Sequence, residues 1–392
     1  MATMMAGPYG ATLLGDLGAD VIKLESPYGD ESRHLGPERD GERSPFLSLN
    51  RNKRGVVLDL RRPTAQEVFG RLARTADVFI TNIREPALSR LGLSYEQVRE
   101  HRSDIIWAGV TAFGSDGPYA GRPGIDFLAQ GFAGLIALTG EPELPPVRVT
   151  VPVVDTITSL LVVSGVLAAI HERARSGEGQ RIDISLIDAV VHAQCSSLGS
   201  YFLSGEGPPR TGNRSQYFSP SGIYTCGDGK KAVITCPSEK FFSNLCNALD
   251  VNWVEDPRFE TIDRRLENED ELDREIERRC SDFTRDELLE RLVAGDVLTA
   301  PINEIPEVAE DPQIHHNEMI VQVEHQRLGP VTVTGVPIHL RGTPGSVRRS
   351  SPVQGQHTEE ILGELGYQPE EISGLIGDGA VQTPAETRRR GS

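Results

Sequence analysis

Two kinds of hydrophobic pattern alternate through the first half of the chain. Short apolar runs rich in β-branched residues predict strands at residues 19–24, 55–60, 77–82 and 104–113. Apolar positions at helical spacing predict helices between them, at residues 9–17, 63–75 and 86–101. Strands that are apolar on both faces and alternate with helices predict an α/β fold with a mostly parallel, Rossmann-like sheet.

The pattern changes after residue 150. Residues 156–170 predict a long apolar helix, and residues 205–220, rich in Gly, Pro, Ser and Arg, predict a linker. The other elements expected in this half are a strand at 181–185, a helix to about 202, a hairpin with a Gly-Asp-Gly turn at 223–236, acidic helices within 238–294, and short helices at 358–365 and 369–375.

These changes divide the 392 residues into a large and a small domain. Residues 1–204 are expected to form the first part of a large α/β domain. Residues 205–327 are expected to form a linker and a smaller α+β domain, and a second linker is predicted at 326–344. Residues 328–392 are expected to return to the large domain and to end in a tail, where Arg388-Arg389-Arg390 predicts disorder.

The composition limits the classes of partner that the chain is expected to bind. Its formal net charge of −17 argues against general affinity for nucleic acid or anionic membranes. The apolar run ends at His171, which predicts no membrane span, and no signal peptide is recognisable. Five cysteines without a C-x-x-C pair indicate reduced thiols in a cytoplasmic protein. The adjacent His315 and His316 lack the spacing of metal ligands, so no metal site is predicted.

Basic residues nevertheless cluster in one short stretch of this acidic chain. The cluster consists of Arg51, Lys53, Arg54, Arg61 and Arg62. It is compatible with a solvated surface beside a strand and with a site for the phosphates of a small molecule. The pattern alone leaves both interpretations open.

Asp155 stands at the head of the long apolar helix predicted at 156–170. It is interpreted either as the cap of that helix or as a reactive carboxylate at the positive end of the helix dipole. Both interpretations place the carboxylate against backbone N–H groups, so they predict the same geometry.

Several short motifs follow one another in order along more than 350 residues. They include Ala6-Gly-Pro-Tyr9, Asn50-Arg-Asn-Lys-Arg54, Gly124-Ile-Asp126, Leu138-Thr-Gly140, Gly177-Glu-Gly-Gln180, Gly212-Asn213 and Gly355-Gln-His-Thr358. Their ordered succession resembles the family III CoA-transferases, the group of formyl-CoA transferase and carnitine CoA-transferase that also contains α-methylacyl-CoA racemase. The resemblance implies a large and a small domain and an interlocked homodimer.

The resemblance also implies a catalytic residue. In this family the nucleophilic carboxylate lies fifteen residues after a Thr-Gly pair, the spacing that Asp155 keeps from Thr139-Gly140. Asp155 is then expected to attack an acyl-CoA, to form a mixed anhydride and an aspartyl-CoA thioester, and to pass CoA to a carboxylic acid. The helix start is expected to keep Asp155 ionised and to supply N–H groups for oxyanions.

CoA contacts follow from the same resemblance. The matching positions are Ala6, Leu58, Arg61, Asn82, Ile83 and Arg90. Arg61 and Arg90 are expected to neutralise phosphates, and Leu58 and Ile83 to sandwich adenine. The region of Tyr217 and Phe218 is expected to line the acyl pocket. CoA is a substrate here, so the expected partners are an acyl-CoA and a carboxylic acid, without a cofactor.

Ile125 distinguishes the transferase from the racemase. Racemases of this superfamily carry His at that position, because removing and replacing an α-proton on opposite faces needs two acid–base groups. Ile125 cannot transfer a proton, which favours the transferase. Its neighbour Asp126 is expected either to orient an active-site loop or to cap the helix that begins there.

Three other classes fit less well. A non-catalytic CoA- or nucleotide-binding scaffold and a dinucleotide-dependent oxidoreductase are suggested by the α/β pattern, but no G-x-G-x-x-G motif follows the early strands. A serine hydrolase would need a G-x-S-x-G elbow, which the chain lacks.

Relatives also begin with a strand before the Ala-Gly-Pro turn, so a chain that starts at Met1 is expected to have exposed sheet edges and low stability.

Overall fold

The computed structural model describes residues 1–384, so the predicted disorder of Arg388-Arg389-Arg390 lies outside the described residues. The chain forms two compact units. Unit 1 comprises Met1–Ala133, Val149–Ser196 and the residues from Pro312 onward, and unit 2 comprises Gly134–Arg148 and Ser197–Asp311. These boundaries differ from the predicted 205 and 327, and the sequence pattern gave no sign that residues 134–148 belong with unit 2.

The strands are short, with two to six residues each. In chain order they are β1 (Val21–Glu25), β2 (Glu38–Arg39), β3 (Glu42–Arg43), β4 (Lys53–Leu58), β5 (Val78–Thr81), β6 (Ile106–Thr111), β7 (Arg181–Ser185), β8 (Ser221–Thr225), β9 (Lys231–Thr235), β10 (Leu298–Pro301), β11 (Ile320–His325), β12 (Gly329–Thr334) and β13 (Val381–Gln382).

The helices include one that is far longer than the rest. In chain order they are α1 (Ala6–Asp16), α2 (Ser44–Leu49), α3 (Pro63–Thr75), α4 (Glu85–Leu91), α5 (Tyr95–His101), α6 (Asp126–Phe132), α7 (Leu135–Leu138), α8 (Val153–Ser176), α9 (Leu186–Ala193), α10 (Cys195–Ser204), α11 (Glu239–Leu249), α12 (Ile262–Glu267), α13 (Glu269–Cys280), α14 (Arg285–Ala294), α15 (Ile305–Glu310), α16 (Pro312–His316), α17 (Thr358–Glu364) and α18 (Pro369–Gly377). Short 3₁₀ turns occur at Glu31–His34 and Trp253–Glu255.

Unit 1 has the α/β fold that the sequence predicts. Its two three-stranded sheets have the orders β1-β4-β13 and β5-β6-β7, and within these two sheets every pairing except the antiparallel β13–β4 is parallel. All six residues of β4 are buried, as expected for a strand covered on both faces. Strand β12 pairs antiparallel with β11 over six residues, so the prediction of a linker at 326–344 is wrong in its first part.

Local signals explain why the helices of unit 1 begin and end where they do. Pro63 stands at the first turn of α3, where its missing N–H costs no helical hydrogen bond. Ser94 and Gln97 form a capping box that starts α5. The long helix α8 ends at Gly177, whose φ of 75° is readily adopted only without a Cβ.

Helix α8 is longer than the sequence suggests. It has 24 residues and, by length and composition alone, is apolar enough to cross a membrane, so the expectation that the run is too short is wrong. Its buried residues include Val162 and Val166. Other apolar residues of the helix, Leu160 and Leu167, are exposed in the single chain.

The first residues of the chain lie beside β5. The amino group of Met1 donates to the carbonyl oxygen of Ile80 at 2.9 Å, and burial lowers the pKa of this amino group to about 4. Strands β1 and β5 each pair with a single strand in the described chain. The low stability expected of a chain that starts at Met1 stays a prediction.

Unit 2 combines helices with an antiparallel sheet of order β10-β9-β8, and the predicted hairpin forms its β8–β9 part. Four of the five cysteines, Cys226, Cys236, Cys246 and Cys280, are buried in its core, whereas Cys195 of unit 1 is exposed. All five are free thiols. The buried thiols act as small apolar residues in this core.

Candidate active site

Asp155 lies in the first turn of α8. The helix begins at Val153 with Pro152 as its N-cap residue, so Asp155 is the third helical residue. Its carboxylate accepts no hydrogen bond from any residue between 1 and 384. The cap interpretation of Asp155 is therefore wrong, because a capping carboxylate must accept an N–H group of the first turn.

Asp126 on α6 caps α8 instead. Its Oδ2 accepts hydrogen bonds from the backbone N–H groups of Val154 at 2.8 Å and Asp155 at 3.1 Å. Asp126 is the first residue of its own helix and Ile125 is the N-cap residue, so the prediction that Asp126 caps that helix is wrong. The contact that the structure shows fixes the backbone of Asp155.

The N–H groups at the start of α8 are all engaged within the described chain. Val153 N–H donates to the carbonyl of Val151 at 2.7 Å, and Thr156 N–H donates to the carbonyl of Pro152 at 3.1 Å. The N–H groups between them donate to Asp126. This corrects the expectation that free N–H groups here hold Asp155 ionised and stabilise oxyanions, since these donors already have acceptors.

The electrostatic consequence appears at Asp155. Burial, and after it the negative charge of Asp126, raises the pKa of Asp155 to about 7. A carboxyl group of this type in water titrates near pH 3.9. Near neutral pH the group is therefore present in both forms, and its anion is poorly solvated and unusually basic. Such a shift in a partly accessible group is typical of functional sites.

The first turn of α1 lies against the first turn of α8. The buried Ser159 Oγ lies 2.8 Å from the carbonyl oxygens of both Ala6 and Asp155. A Cβ at Gly10 would lie 3.0 Å from Val162 Cγ1, so the two helices pack closely and a side chain there would force Val162 to shift. The structure thus brings Ala6, a predicted CoA contact, next to the backbone of Asp155.

Asn82 joins this region from the end of β5. Its side chain accepts a hydrogen bond from the N–H of Thr3 at 2.9 Å and donates to the carbonyl of Thr3 at 2.7 Å. A Cβ at Gly7 would lie 3.9 Å from Cβ of Asn82. The Ala6-Gly7 turn and the carboxyl end of β5 are therefore neighbours, as expected for a ligand site at strand ends.

The other predicted CoA positions differ in accessibility. Leu58 is completely buried in the core of unit 1, so its side chain is not available to adenine. Ile83 is half-buried. Arg61 is 78% exposed and donates to both carboxylate oxygens of Asp59, at 2.7 and 2.9 Å. Arg90 on α4 is exposed and has no hydrogen bond or ion pair within residues 1–384.

Two members of the basic cluster, Arg51 and Lys53, are almost completely buried inside the unit. Arg51 is 1% exposed and its Nη2 donates to Oδ2 of Asp16 at 2.6 Å. Lys53 donates to the carbonyl oxygens of Pro8 at 2.6 Å and Leu49 at 3.1 Å, and burial lowers its pKa. Neither side chain is free to bind a phosphate.

Arg54 is likewise engaged, with Asp20, Glu360 and Glu364 at 2.5 to 2.9 Å. Both interpretations of the cluster are therefore wrong for Arg51, Lys53 and Arg54, which are neither a solvated surface nor a phosphate site. Their role is to join distant segments of unit 1.

Sequence reasoning missed Gln130 and Ser159. Each lies four residues after a carboxylate on the same helix, Gln130 after Asp126 and Ser159 after Asp155. The i, i+4 spacing places both on the same helix face as the acid and is the signal that would have found them. Ile125, by contrast, is 63% exposed, and its side chain offers no acid–base group beside Asp155.

The Thr-Gly motif lies in unit 2. There, Thr139-Gly140 precedes a turn whose carbonyl oxygens accept hydrogen bonds from Arg210. The acceptors are Glu141 at 2.9 Å, Pro142 at 3.0 Å and Leu144 at 2.7 Å. One guanidinium group thus fixes this loop, because its planar fork reaches several carbonyls at once.

Two further expectations concern ligands. Tyr217 and Phe218 lie in unit 2, where Tyr217 is 64% exposed, and their contact with an acyl group stays a prediction. Within residues 1–384 no three His, Cys, Asp or Glu side chains are grouped to hold a metal ion. His315 and His316 end α16.

Comparison with known proteins defines the class. Residues 1–358 match the family model for CoA-transferase family III. The chain is 34% identical to succinate–glutarate CoA-transferase of Agrobacterium fabrum, over 93% of each chain. It is 33% identical to succinyl-CoA–D-citramalate CoA-transferase of Chloroflexus aurantiacus, over 93% of this chain and 92% of the other.

A solved structure agrees with the sequence relatives. A CaiB/BaiF family protein from Brucella suis superposes with a TM-score of 0.86 at 34% identity, over 93% of this chain and 97% of the other. The chain is thus an acyl-CoA:carboxylate CoA-transferase, an enzyme that carries CoA between carboxylic acids. The chain belongs to CoA-transferase family III.

Proposed function

We propose that the protein transfers CoA through covalent intermediates on Asp155. The Asp155 carboxylate attacks the thioester of the acyl-CoA donor, forming a C–O bond and breaking the C–S bond, which gives a mixed anhydride and the CoA thiolate. The thiolate then attacks the aspartyl carbonyl, so the donor acid leaves as its carboxylate and CoA is held as an aspartyl thioester.

The second half of the reaction reverses these steps with another acid. The acceptor carboxylate attacks the aspartyl thioester and releases the thiolate, which leaves a second anhydride. The thiolate attacks the acceptor carbonyl, giving the new acyl-CoA and restoring the Asp155 carboxylate. No net proton, electron or water is consumed, so the cycle needs no redox cofactor, and each bond is made and broken by the carboxylates and the CoA thiolate.

The observation that carries this proposal is the state of the Asp155 carboxylate. It is the acid in the first turn of α8, yet it accepts no hydrogen bond within residues 1–384, whereas the neighbouring Asp126 takes the helix donors. A carboxylate without hydrogen-bond donors and with a pKa of about 7 is a stronger nucleophile than a capped one. Asp126 supports it by fixing the backbone of Asp155.

The CoA moiety is proposed to bind along the Ala6 turn and the end of β5. Arg90 is exposed and has no partner in the described chain, which leaves its guanidinium free for a phosphate. Arg61 would exchange its exposed pair with Asp59 for a phosphate, at little cost because such surface pairs contribute little. Leu58 would contribute through the strand backbone only.

The proposed active form is a homodimer. Exposed apolar side chains on two helices of unit 1 include Leu128 and Phe132 on α6, and Leu160 and Leu167 on α8. Leu160 and Leu167 are seven residues apart and share a helix face, so they would pack together against a second copy. Size-exclusion chromatography with light scattering should give a molar mass twice that of the chain. For Leu160→Glu the measured mass should fall to that of a single chain.

Short dicarboxylic acids are the proposed substrates. The relatives from Agrobacterium fabrum and Chloroflexus aurantiacus are named for succinate, glutarate and citramalate, each of which carries two carboxyl groups. A panel in which succinyl-CoA is offered with mono- and dicarboxylic acids tests this directly. Transfer to monocarboxylates alone would contradict the proposal.

The test of the proposed mechanism is a pair of matched variants assayed for acyl exchange. Asp155→Asn is expected to lose at least about 10³-fold in kcat, because it removes the nucleophile. Asp188→Asn is the control, since Asp188 is also the third residue of a helix, α9, and is exposed. CoA transfer retained by Asp155→Asn would contradict the mechanism. So would exchange of the α-proton of the acyl-CoA by the wild-type protein without CoA transfer.

A further inference from the structure

Gln130 occupies an unusual place in unit 1. It is a buried glutamine, 1% exposed, on the short helix α6. Its side chain touches Asp126, four residues earlier, and also the backbone of Val149. Val149 is the residue at which the chain re-enters unit 1 after the segment Gly134–Arg148. Gln130 thus links the cap of α8 to the segment that leads into α8.

Three hydrogen bonds fix the orientation of the Gln130 amide. Nε2 donates to Asp126 Oδ1 at 2.6 Å and to the carbonyl oxygen of Val149 at 3.0 Å. Oε1 accepts the N–H of Val149 at 3.0 Å. The opposite orientation would place the amide oxygen against two acceptors. A residue that both donates and accepts is therefore required, and neither Glu nor Leu satisfies all three contacts.

Gln130 is also the side-chain donor on which Asp126 depends. The other donors to this carboxylate are the backbone N–H groups of Val154 and Asp155, both on Oδ2. No Arg, Lys or His forms an ion pair with Asp126 within residues 1–384. Rotation of the Asp126 carboxylate is therefore restrained on one side by Gln130 and on the other by the helix that carries Asp155.

We infer that Gln130 is a positioning residue, which holds Asp126 and the segment at Val149 so that the Asp155 carboxylate keeps its place for attack. This inference rests on the proposed function of Asp155. Gln130 need not touch the substrate: it acts through Asp126, whose Oδ2 binds the N–H of the nucleophile itself. Displacement of a reacting group by about 1 Å can cost on the order of 100-fold in rate.

The experiment compares a single variant with a reciprocal exchange. Gln130→Glu keeps the shape of the side chain but places a second carboxylate against Asp126, and kcat is expected to fall about 100-fold with little change in KM. The double variant Asp126→Asn/Gln130→Glu restores a donor–acceptor pair between the two positions. It is expected to recover on the order of tenfold over Gln130→Glu, as for one charge-assisted hydrogen bond.

Gln354→Glu is the matched control. Gln354 is another buried glutamine, and its Nε2 donates to the carbonyls of Ser26 and Pro27 at 3.3 Å, without contact to Asp126. This variant is expected to lose thermal stability and to keep the wild-type kcat. Thermal melts of all variants separate loss of folding from loss of rate. Gln130→Met, which introduces no charge, repeats the kcat test if Gln130→Glu does not fold.

The outcomes distinguish this inference from the proposed function. A wild-type kcat for Gln130→Glu or Gln130→Met would overturn it, as would a double variant no faster than Gln130→Glu. If Asp155→Asn abolishes transfer while the Gln130 variants remain fully active, the positioning role fails and the nucleophile stands. If Asp155→Asn itself transfers CoA normally, both fail together.

Discussion

The start of α8 and the segment Arg51–Arg54 differ in whether their charged side chains have partners. Arg51 and Arg54 are largely buried, and each is matched to carboxylates at 2.5 to 2.9 Å. Asp155 is also largely buried, but its carboxylate has no hydrogen-bond donor in the described chain and lies near a second negative charge. The first arrangement joins segments of the fold, whereas the second leaves a charged group ready to react.

This difference teaches how to recognise function among charged residues. The basic cluster is the more conspicuous feature in the sequence, yet its buried members are satisfied by the protein itself. The proposed nucleophile, Asp155, is instead the carboxylate that lacks a partner in the described chain and has a raised pKa. The predictions below test each side of this comparison.

The largest effect is expected at the paired site. Arg51→Met leaves Asp16 buried without its cation, because both side chains are 1% exposed. Loss of one member of such a pair should reduce the free energy of unfolding by about 3–5 kcal/mol. Chemical denaturation measures this. Arg175→Met, in an exposed pair with Glu172, is the control and should change stability by less than about 1 kcal/mol. Equal losses in the two variants would contradict the structural role.

Substitution of the unpaired Asp155 is expected to increase stability, in contrast to substitution of Arg51. The folded-state pKa of Asp155 is about 7, above that of the unfolded chain, so the folded protein holds a proton that the unfolded chain releases. Its stability contribution is present below about pH 4 and is lost as pH rises to 7. Asn does not titrate, so Asp155→Asn does not lose this stability as the pH rises. At pH 8 its free energy of unfolding should exceed that of wild type by as much as about 4 kcal/mol.

The pH dependence is the diagnostic part of that prediction. Melting temperatures of wild type and Asp155→Asn should differ most at pH 8 and converge toward pH 4. A stabilisation by Asp155→Asn that is the same at both pH values would show that the carboxyl group is not the titrating group. A destabilisation at pH 8 would show that its anion is well solvated in the folded state.

A smaller effect is expected at Asp126. If Asp155 attacks as its anion, kcat/KM for the acyl-CoA donor rises with pH through about 7. Asp126→Asn removes the neighbouring negative charge, so the pKa of Asp155 falls and this limb should move to lower pH. The maximal rate should also fall, since the donor–acceptor match with Gln130 is lost. A limb that does not move would show that the two carboxylates do not interact.

Several of these features were predictable from the sequence and others were not. Helix α3 and strand β7 have the predicted bounds, because Pro63 and the Gly177–Gln180 turn are local signals. Asp155 was predicted as the nucleophile through its spacing from the Thr139-Gly140 motif. The residue that caps α8, Asp126, was not predicted to do so, because it lies 29 residues before Asp155 and reaches α8 only in the folded chain.

The error over the basic cluster has the same origin. Arg54 pairs with Glu360 and Glu364, which lie 306 and 310 residues away, so no window of sequence contains the partners. The strand predicted at residues 55–60 begins two residues too late for a related reason, because the charged Lys53 and Arg54 do not match the apolar pattern of a buried strand. Burial of a charge depends on partners that only the tertiary structure brings together.

The smallest effect is expected at the unpartnered Arg90. Arg90→Ala should raise KM for the acyl-CoA donor up to about tenfold and leave kcat unchanged, as for the loss of one exposed phosphate contact. Arg74→Ala on α3 is a suitable control, because Arg74 is likewise an exposed basic residue in the last turn of a helix. An unchanged KM in Arg90→Ala would remove this residue from the proposed CoA site.

The most direct measurement is mass spectrometry of the protein after incubation with succinyl-CoA. The account predicts a covalent adduct on the peptide that contains Asp155, converted by hydroxylamine to the hydroxamate and absent from Asp155→Asn. An adduct that persists in Asp155→Asn, or CoA transfer by wild type without any adduct on this peptide under trapping conditions, would contradict the assignment of Asp155 as the nucleophile.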